Sequence, residues 1–136
     1  MPQYTGGGVV ASGKYTTATA LPVTGYAQSS DTATKTMKLA TTLAMHPGGV
    51  SATTADNSGT GHISYYLPGQ TVKAVAGGAI TKGDIVGAST GGKFVSVAKN
   101  QTPGTAEYAW GWAMTAAGAD EDVFELMFAP FEADLT

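Results

Sequence analysis

Apolar and polar positions alternate most regularly near the end of the chain. Across residues 123–129, Phe124, Leu126 and Phe128 fall on one face and Val123, Glu125 and Met127 on the other. That two-residue period predicts a strand lying against a core. Residues 85–88 and 94–98 form two further short apolar runs. They are joined by Ser89-Thr90-Gly91-Gly92-Lys93, a turn composition that predicts a hairpin. Residues 62–67 and 71–76 read as strands separated by a turn at Pro68-Gly69, and residues 110–115 as a strand following a loop at Pro103-Gly104. Alternation would place Trp110 and Trp112 on the same face of that strand. Ile80, Val86, Val95, Val97, Leu126 and Phe128 are the expected core. Short strands at intervals of about 8–12 residues, with turn residues between them, predict a sandwich or small barrel.

The first half is harder to read. Met37, Leu39, Thr41, Leu43 and Met45 alternate as a strand would, whereas Met37, Ala40, Leu43 and Ala44 would line a helix; the threonines around them favour a strand. Residues 48–61 read as a long Gly-, Ser- and Thr-rich loop, of a length usual for functional or partner-bound segments. Residues 1–35 look unlike a core. Gly6-Gly7-Gly8 opens a stretch dominated by Thr and Ser, which buries too little apolar surface to offset its own ordering entropy. An arm of this composition must be held either by a partner chain or by the body of the same protein. Its apolar positions, Tyr4, Val9, Val10, Tyr15, Leu21, Val23 and Tyr26, are therefore the candidate partner-binding residues. The expected architecture is all-β: an extended arm over residues 1–35 and a small barrel or sandwich body over residues 36–136.

Composition narrows the function. Of 136 residues only 12% are charged, and the net charge is −3. All the basic residues are lysines, which argues against phosphate recognition and against a nucleic-acid partner. Cysteine is absent, so disulfides and thiolate metal sites are excluded. No apolar run approaches the length of a membrane-spanning helix, and no export signal is visible; neither a membrane nor a cofactor is expected.

Motifs that touch on chemistry fail on context. Gly87-Ala88-Ser89-Thr90-Gly91 fits a nucleophile elbow, but that elbow requires a helix after the serine, and both His46 and His62 precede it. The same segment approximates a phosphate-binding loop, except that Phe94 stands where a magnesium-binding hydroxyl belongs. Two histidines with only Asp56 between them do not make a zinc set. Asp120-Glu121-Asp122 with Glu125 lacks the spacing of a calcium loop and reads as a solvated turn. Asn100-Gln101-Thr102 matches a glycosylation triplet without a secretory context. Tyr108, Trp110, Trp112, Phe124, Phe128 and Phe131 are read first as core packing, with one of the indoles as a candidate interface anchor. The chain is expected not to be an enzyme.

Ile80, Lys82, Gly83, Asp84 and Val86, then Gly92-Lys93, then Gly111, Ala113, Ala116, Ala117 and Gly118 carry a resemblance. This part of the chain resembles a small β module of tailed-bacteriophage head gene clusters, the capsid decoration or cement proteins. The resemblance implies a virion structural protein made in the host cytoplasm, bound to the capsid exterior, with the major capsid protein as partner and a homotrimer as the usual assembly. It also implies structural roles for Ile80 in the core, Gly83 in a tight turn and Asp84 as an acceptor for neighbouring backbone N–H groups. The alternative reading is a head-fibre or appendage-type carbohydrate-binding module using exposed aromatics near Tyr65, Tyr66, Tyr108 or Trp110.

Overall fold

The structure is a computed structural model and describes residues 10–17, 20–31, 36–55, 61–98 and 107–133. Among these residues there is no α-helix, and ten strands build two antiparallel five-stranded sheets. The first sheet contains β1 (Val10–Lys14), β2 (Ala27–Asp31), β3 (Thr36–Leu39), β4 (Gly49–Ser51) and β5 (His62–Tyr66), in the order β1-β5-β4-β2-β3. The second contains β6 (Gln70–Val75), β7 (Ile85–Ala88), β8 (Phe94–Ser96), β9 (Glu107–Ala113) and β10 (Val123–Ala133), in the order β6-β10-β9-β7-β8. The all-β expectation is met.

Each sheet curls until its two edge strands meet. In the first, Tyr15 and Met37 form a parallel bridge between the ends of β1 and β3. Thr16 N–H donates to the Met37 carbonyl at 2.9 Å, and Leu39 N–H to Thr17 Oγ1 at 2.8 Å. In the second, Ala76 bridges Phe94, and Gly77 N–H donates to the Phe94 carbonyl at 2.7 Å. Stitched edges leave fewer unpaired backbone groups to recruit another strand.

The turn at Pro68-Gly69 does not fold β5 and β6 into a hairpin. It carries the chain from one sheet to the other, and Gly69 N–H, with φ +98°, donates to the Phe128 carbonyl at 2.7 Å. The hairpin expected from Ser89–Lys93 is present: β7 pairs β8 with Val86 opposite Ser96, around a single 3₁₀ turn at Thr90–Gly92. The strand expected over residues 37–45 stops at Leu39, and a turn at Thr42–Met45 follows. The segment read as a loop over residues 48–61 contains β4, three buried residues in the middle of the first sheet. A strand of Gly-Val-Ser is too short to display a period.

Residues 10–17 and 20–31 are held by the body of the same chain. β1 pairs all along β5, and β2 sits between β3 and β4. Tyr15, Leu21 and Tyr26 are buried with Met37, Leu39, Ile63 and Val75 in one hydrophobic cluster. Few side chains suffice because the backbone does much of the holding. Gly25 N–H donates to the Ser51 carbonyl (2.8 Å), and the Gly25 carbonyl accepts from Val75 N–H (3.0 Å), tying the first sheet to β6. A Cβ on Gly25, whose φ is +104°, would lie 2.9 Å from both the Ala74 Cα and the Lys73 carbonyl oxygen. Only glycine lets the two backbones approach that closely. The first nine residues lie outside the described part of the chain.

The main core crosses both sheets. Ala27, Ala40 and Val50 of the first half pack with Val72, Ile80, Val86, Phe94, Trp110, Phe124, Leu126 and Phe128 of the second. Trp110 stacks on Phe128 (ring centroids 5.6 Å, 12° between planes) and takes the edge of Phe94 at 5.4 Å. Of the expected core, Ile80, Val86, Leu126 and Phe128 are buried, but Val95 and Val97 are only half-buried. β8 turns Phe94 inward instead, against Trp110 and Phe124.

Candidate interaction surface

The motif residues build the scaffold beneath one end of the second sheet. Thr81 N–H donates to Asp84 Oδ2 at 2.9 Å, and Ser96 Oγ lies 2.9 Å from the same oxygen. Gly83 has φ +91° and gives its N–H to the Ala113 carbonyl, while the Asp84 carbonyl accepts from Ala113 N–H. Ile80 bridges Ala117. Asp84 and Gly83 thus play the turn-forming parts expected of them, and the segment 80–84 clasps the end of β9.

On the outer face of this sheet, Ile85 of β7, Trp112 of β9 and Met127 of β10 lie side by side in register. Trp112 stacks on Phe131, with ring centroids 5.3 Å apart and 25° between planes. Pro68, Ile85, Trp112, Ala129, Pro130 and Phe131 line an open groove of about 600 Å³. None of the six carries a charge, and only the indole offers a side-chain hydrogen bond. A sugar would find an aromatic platform here but almost no groups to bind its hydroxyls. An uncharged, apolar occupant fits better.

Two backbone features create this groove, and both defeat the expectation that Trp110 and Trp112 share a face. Trp110 is fully buried, whereas Trp112 is 40% exposed. Between them Gly111 has φ +138°, a conformation that twists the strand out of simple alternation. A Cβ on Gly111 would collide with the Met127 carbonyl oxygen. Opposite Trp110, β10 bulges: the register slips between Phe128 and Phe131, leaving Ala129 and Pro130 against one residue of β9. Proline has no N–H to give the ladder, so the bulge falls where Pro130 requires it. Gly111 and Pro130 were the available signals, and strict alternation overrode them.

The candidate arm residues divide. Tyr4 and Val9 lie outside the described residues. Tyr15, Leu21 and Tyr26 are buried within the chain, which takes their side chains off the surface. Val10 and Val23 are each 48% exposed. Val10 is in register with half-buried Tyr66, and Thr24, next to Val23, shares a shallow depression with that same tyrosine.

Several of the remaining polar groups serve turns and clasps, whereas the buried Gln28 amide and the Trp110 indole N–H have no hydrogen-bond partner among the described residues. Lys93 Nζ lies 3.1 Å from both Asp120 Oδ1 and Glu121 Oε1, and its hydrogen bonds to Asp120 and then Glu121 hold its ammonium above the ordinary lysine range. Asp122 Oδ2 accepts from Gly118 N–H (3.1 Å) and Ala119 N–H (3.0 Å). Ser89 precedes the tight turn of the hairpin without a capping side-chain hydrogen bond; its carbonyl accepts from Gly92 N–H (3.0 Å), and a strand follows. His46 packs on Tyr108 with ring centroids 4.4 Å apart, and His62 opens β5 in an exposed position. Tyr65, Tyr66 and Tyr108 are half-buried. Asp56 and the triplet at Asn100 lie outside the described residues.

No family model matches the chain, and no curated protein matches it. Among solved structures it is similar to the head fiber gp8.5 N base in bacteriophage phi29, with a TM-score of 0.57 at 18% identity. The likeness spans 89% of this chain and 93% of that one. The two share a fold. Because the alignment runs through nearly all of both chains, the likeness extends beyond the segment around Ile80 and Asp84 and takes in the first sheet as well.

Proposed function

We propose that this chain is a structural protein of a tailed-phage virion, seated on the outside of the head, where it decorates and stabilises the shell. The observation that carries the reading is the fold likeness to a head fiber base over nearly the whole chain, joined to the decoration-type segment around Ile80, Gly83 and Asp84. In this reading the major capsid protein is the partner, and three copies assemble at each site. Val10 and Val23, both exposed, supply apolar contacts to the shell. Repetition over a symmetric lattice turns modest contacts into firm retention. A ligand that binds only the assembled shell stabilises it by mass action.

The test is addition of purified protein to bare heads of the phage that encodes it. Saturable binding at a fixed number per lattice site, with raised resistance to heat, supports decoration. Val10→Asp with Val23→Asp should weaken binding without unfolding the protein. The fold likeness also favours a second reading, the base of a head fibre. Saturable binding that leaves shell resistance unchanged would choose the fibre base over the cement role. No binding to heads at all would remove both.

A further inference from the structure

We propose that the depression beside Tyr66, where the two sheets meet, binds a single neutral sugar unit. The inference goes beyond the head-binding reading and does not rest on it. Thr24, Tyr66, Thr71, Val72, Lys73 and Glu125 line the depression, which has a volume of about 300 Å³. That is the small end of the range for ligand sites, about 300–1,000 Å³, and suits one ring rather than a chain of them. Three parts of the fold meet here. Thr71, Val72 and Lys73 come from β6, and Glu125 lies opposite Lys73 on β10. Tyr66 ends β5. Thr24 is brought onto β6 by Gly25, whose carbonyl accepts from Val75 N–H and whose missing side chain lets it approach Lys73 and Ala74.

The polar ends of these side chains are uncommitted. Among the described residues, no hydrogen bond or ion pair engages the side chains of Thr24, Tyr66, Thr71, Lys73 or Glu125. Lys73 and Glu125 are in register across the ladder and still form no salt bridge, whereas Lys93 closes on both Asp120 and Glu121. Three hydroxyls that donate or accept, a donor-only ammonium and an acceptor-only carboxylate match vicinal sugar hydroxyls, which themselves donate and accept. The two charges cancel, which favours a neutral ligand over an anion or a cation. Val72 and the half-buried Tyr66, packed against the main core, offer apolar surface to the C–H face of a sugar ring. A zwitterion would satisfy the two charges and leave the three hydroxyls idle.

The test is an amide NMR titration of the isolated protein, so that no docked shell covers the site. The probes are methyl glycosides of glucose, galactose, mannose and N-acetylglucosamine. At least one should shift the signals of Tyr66, Val72, Lys73 and Glu125 saturably, with a Kd of about 1 mM, the affinity that ordinary ligand efficiency gives one sugar ring. Lys73 and Glu125 are exposed, so Lys73→Ala and Glu125→Ala should leave the folded spectrum intact and each raise that Kd about tenfold. Lys73→Met and Glu125→Gln replace them if alanine disturbs the strands. Tyr66→Phe, which keeps the ring, should raise the Kd less. The proposal is overturned if no glycoside moves these signals, or if the Kd is unchanged in the Lys73 and Glu125 variants. Shifts caused by glycine betaine and by no glycoside overturn it by giving the site to a zwitterion. Sugar-induced shifts centred on Trp112 overturn it by moving the sugar to the apolar groove.

Discussion

The two sheets have the same number of strands and the same device at their edges, yet their interiors are built from different materials. The second sheet packs Phe94, Trp110, Phe124, Leu126 and Phe128 into a contiguous aromatic core. The first has Tyr15, Leu21, Tyr26, Met37, Leu39 and Ile63, fewer rings and smaller groups, and it buries Gln28, Ser29 and Ser51 among them. Ser51 Oγ accepts from both Gly25 N–H (3.1 Å) and Tyr26 N–H (2.9 Å), so a polar side chain acts as a clamp inside that sheet. Burying apolar area stabilises in proportion to the area removed from water, whereas a net hydrogen bond contributes only about 1 kcal/mol. The second sheet should therefore dominate stability. The first should follow it, through the shared contacts of Ala27, Ala40 and Val50.

The largest test of that ranking is Phe128→Ala. Phe128 is fully buried and stacked on Trp110, so its truncation should cost about 3–5 kcal/mol, a large part of a small domain's stability. Urea unfolding followed by near-ultraviolet circular dichroism and by backbone signal should give one coincident transition. A loss below about 1 kcal/mol would break the picture of an aromatic core, because a cavity of that size cannot be so cheap. Separate transitions for the two signals would break the claim that the sheets fold together.

Legibility in the sequence follows the same division. β10 was readable because Phe124, Leu126 and Phe128 alternate with polar or smaller residues over a full strand, and β7–β8 because a glycine-rich turn separates two apolar runs. The first sheet hides its strands. β1 (Val-Ala-Ser-Gly-Lys) and β2 (Ala-Gln-Ser-Ser-Asp) have almost no apolar period, since the pairing of their backbones places them more than their side chains do. Composition suggested an arm for that reason. The groove was half legible: Trp112 was singled out as an aromatic anchor together with Trp110, but which indole faces outward is decided by φ at Gly111 and by the bulge at Pro130. Both arise from the pairing of β9 with β10, which the pattern of either strand alone does not display.

Leu21→Ala sharpens the comparison from the other side. Leu21 is fully buried in the smaller cluster, and its backbone exchanges hydrogen bonds with Ala55 (2.8 and 3.1 Å). That bridge survives the substitution, so the loss should sit near the low end of the range for such truncations, about 2–3 kcal/mol. Measured under the same conditions, it should be smaller than the loss for Phe128→Ala. The reverse order would mean that the sparse first sheet, and not the aromatic one, is the stability centre.

The smallest effect concerns the polar clasp where the two regions meet. Lys93, on the hairpin of the second sheet, holds Asp120 and Glu121, and these charges act in turn on Tyr26 of the first. The clasp is partly exposed, so screening limits it: Lys93→Met should cost about 0.2–1 kcal/mol, and less in high salt. Its pH dependence has a definite sign. The Lys93 ammonium is held above its ordinary range by hydrogen bonds to Asp120 and Glu121, so its contribution is full below the ordinary lysine value and is lost as pH rises through the raised one. The Tyr15 and Tyr26 phenols are also pushed up, each chiefly by burial, with Glu121 adding to the effect on Tyr26 and Lys93 opposing it. An unfolded chain ionises these tyrosines first, so stability should fall as pH rises above the ordinary tyrosine value, in the same direction as for Lys93. Unfolding free energies measured in urea from neutral pH into the alkaline range should therefore decline. In Lys93→Met the lysine part of the decline disappears while the tyrosine part remains, and Tyr26, freed of the one cation opposing its shift, should titrate still higher. An alkaline decline unchanged by Lys93→Met would assign all of it to the buried tyrosines and leave the clasp with no measurable role in stability.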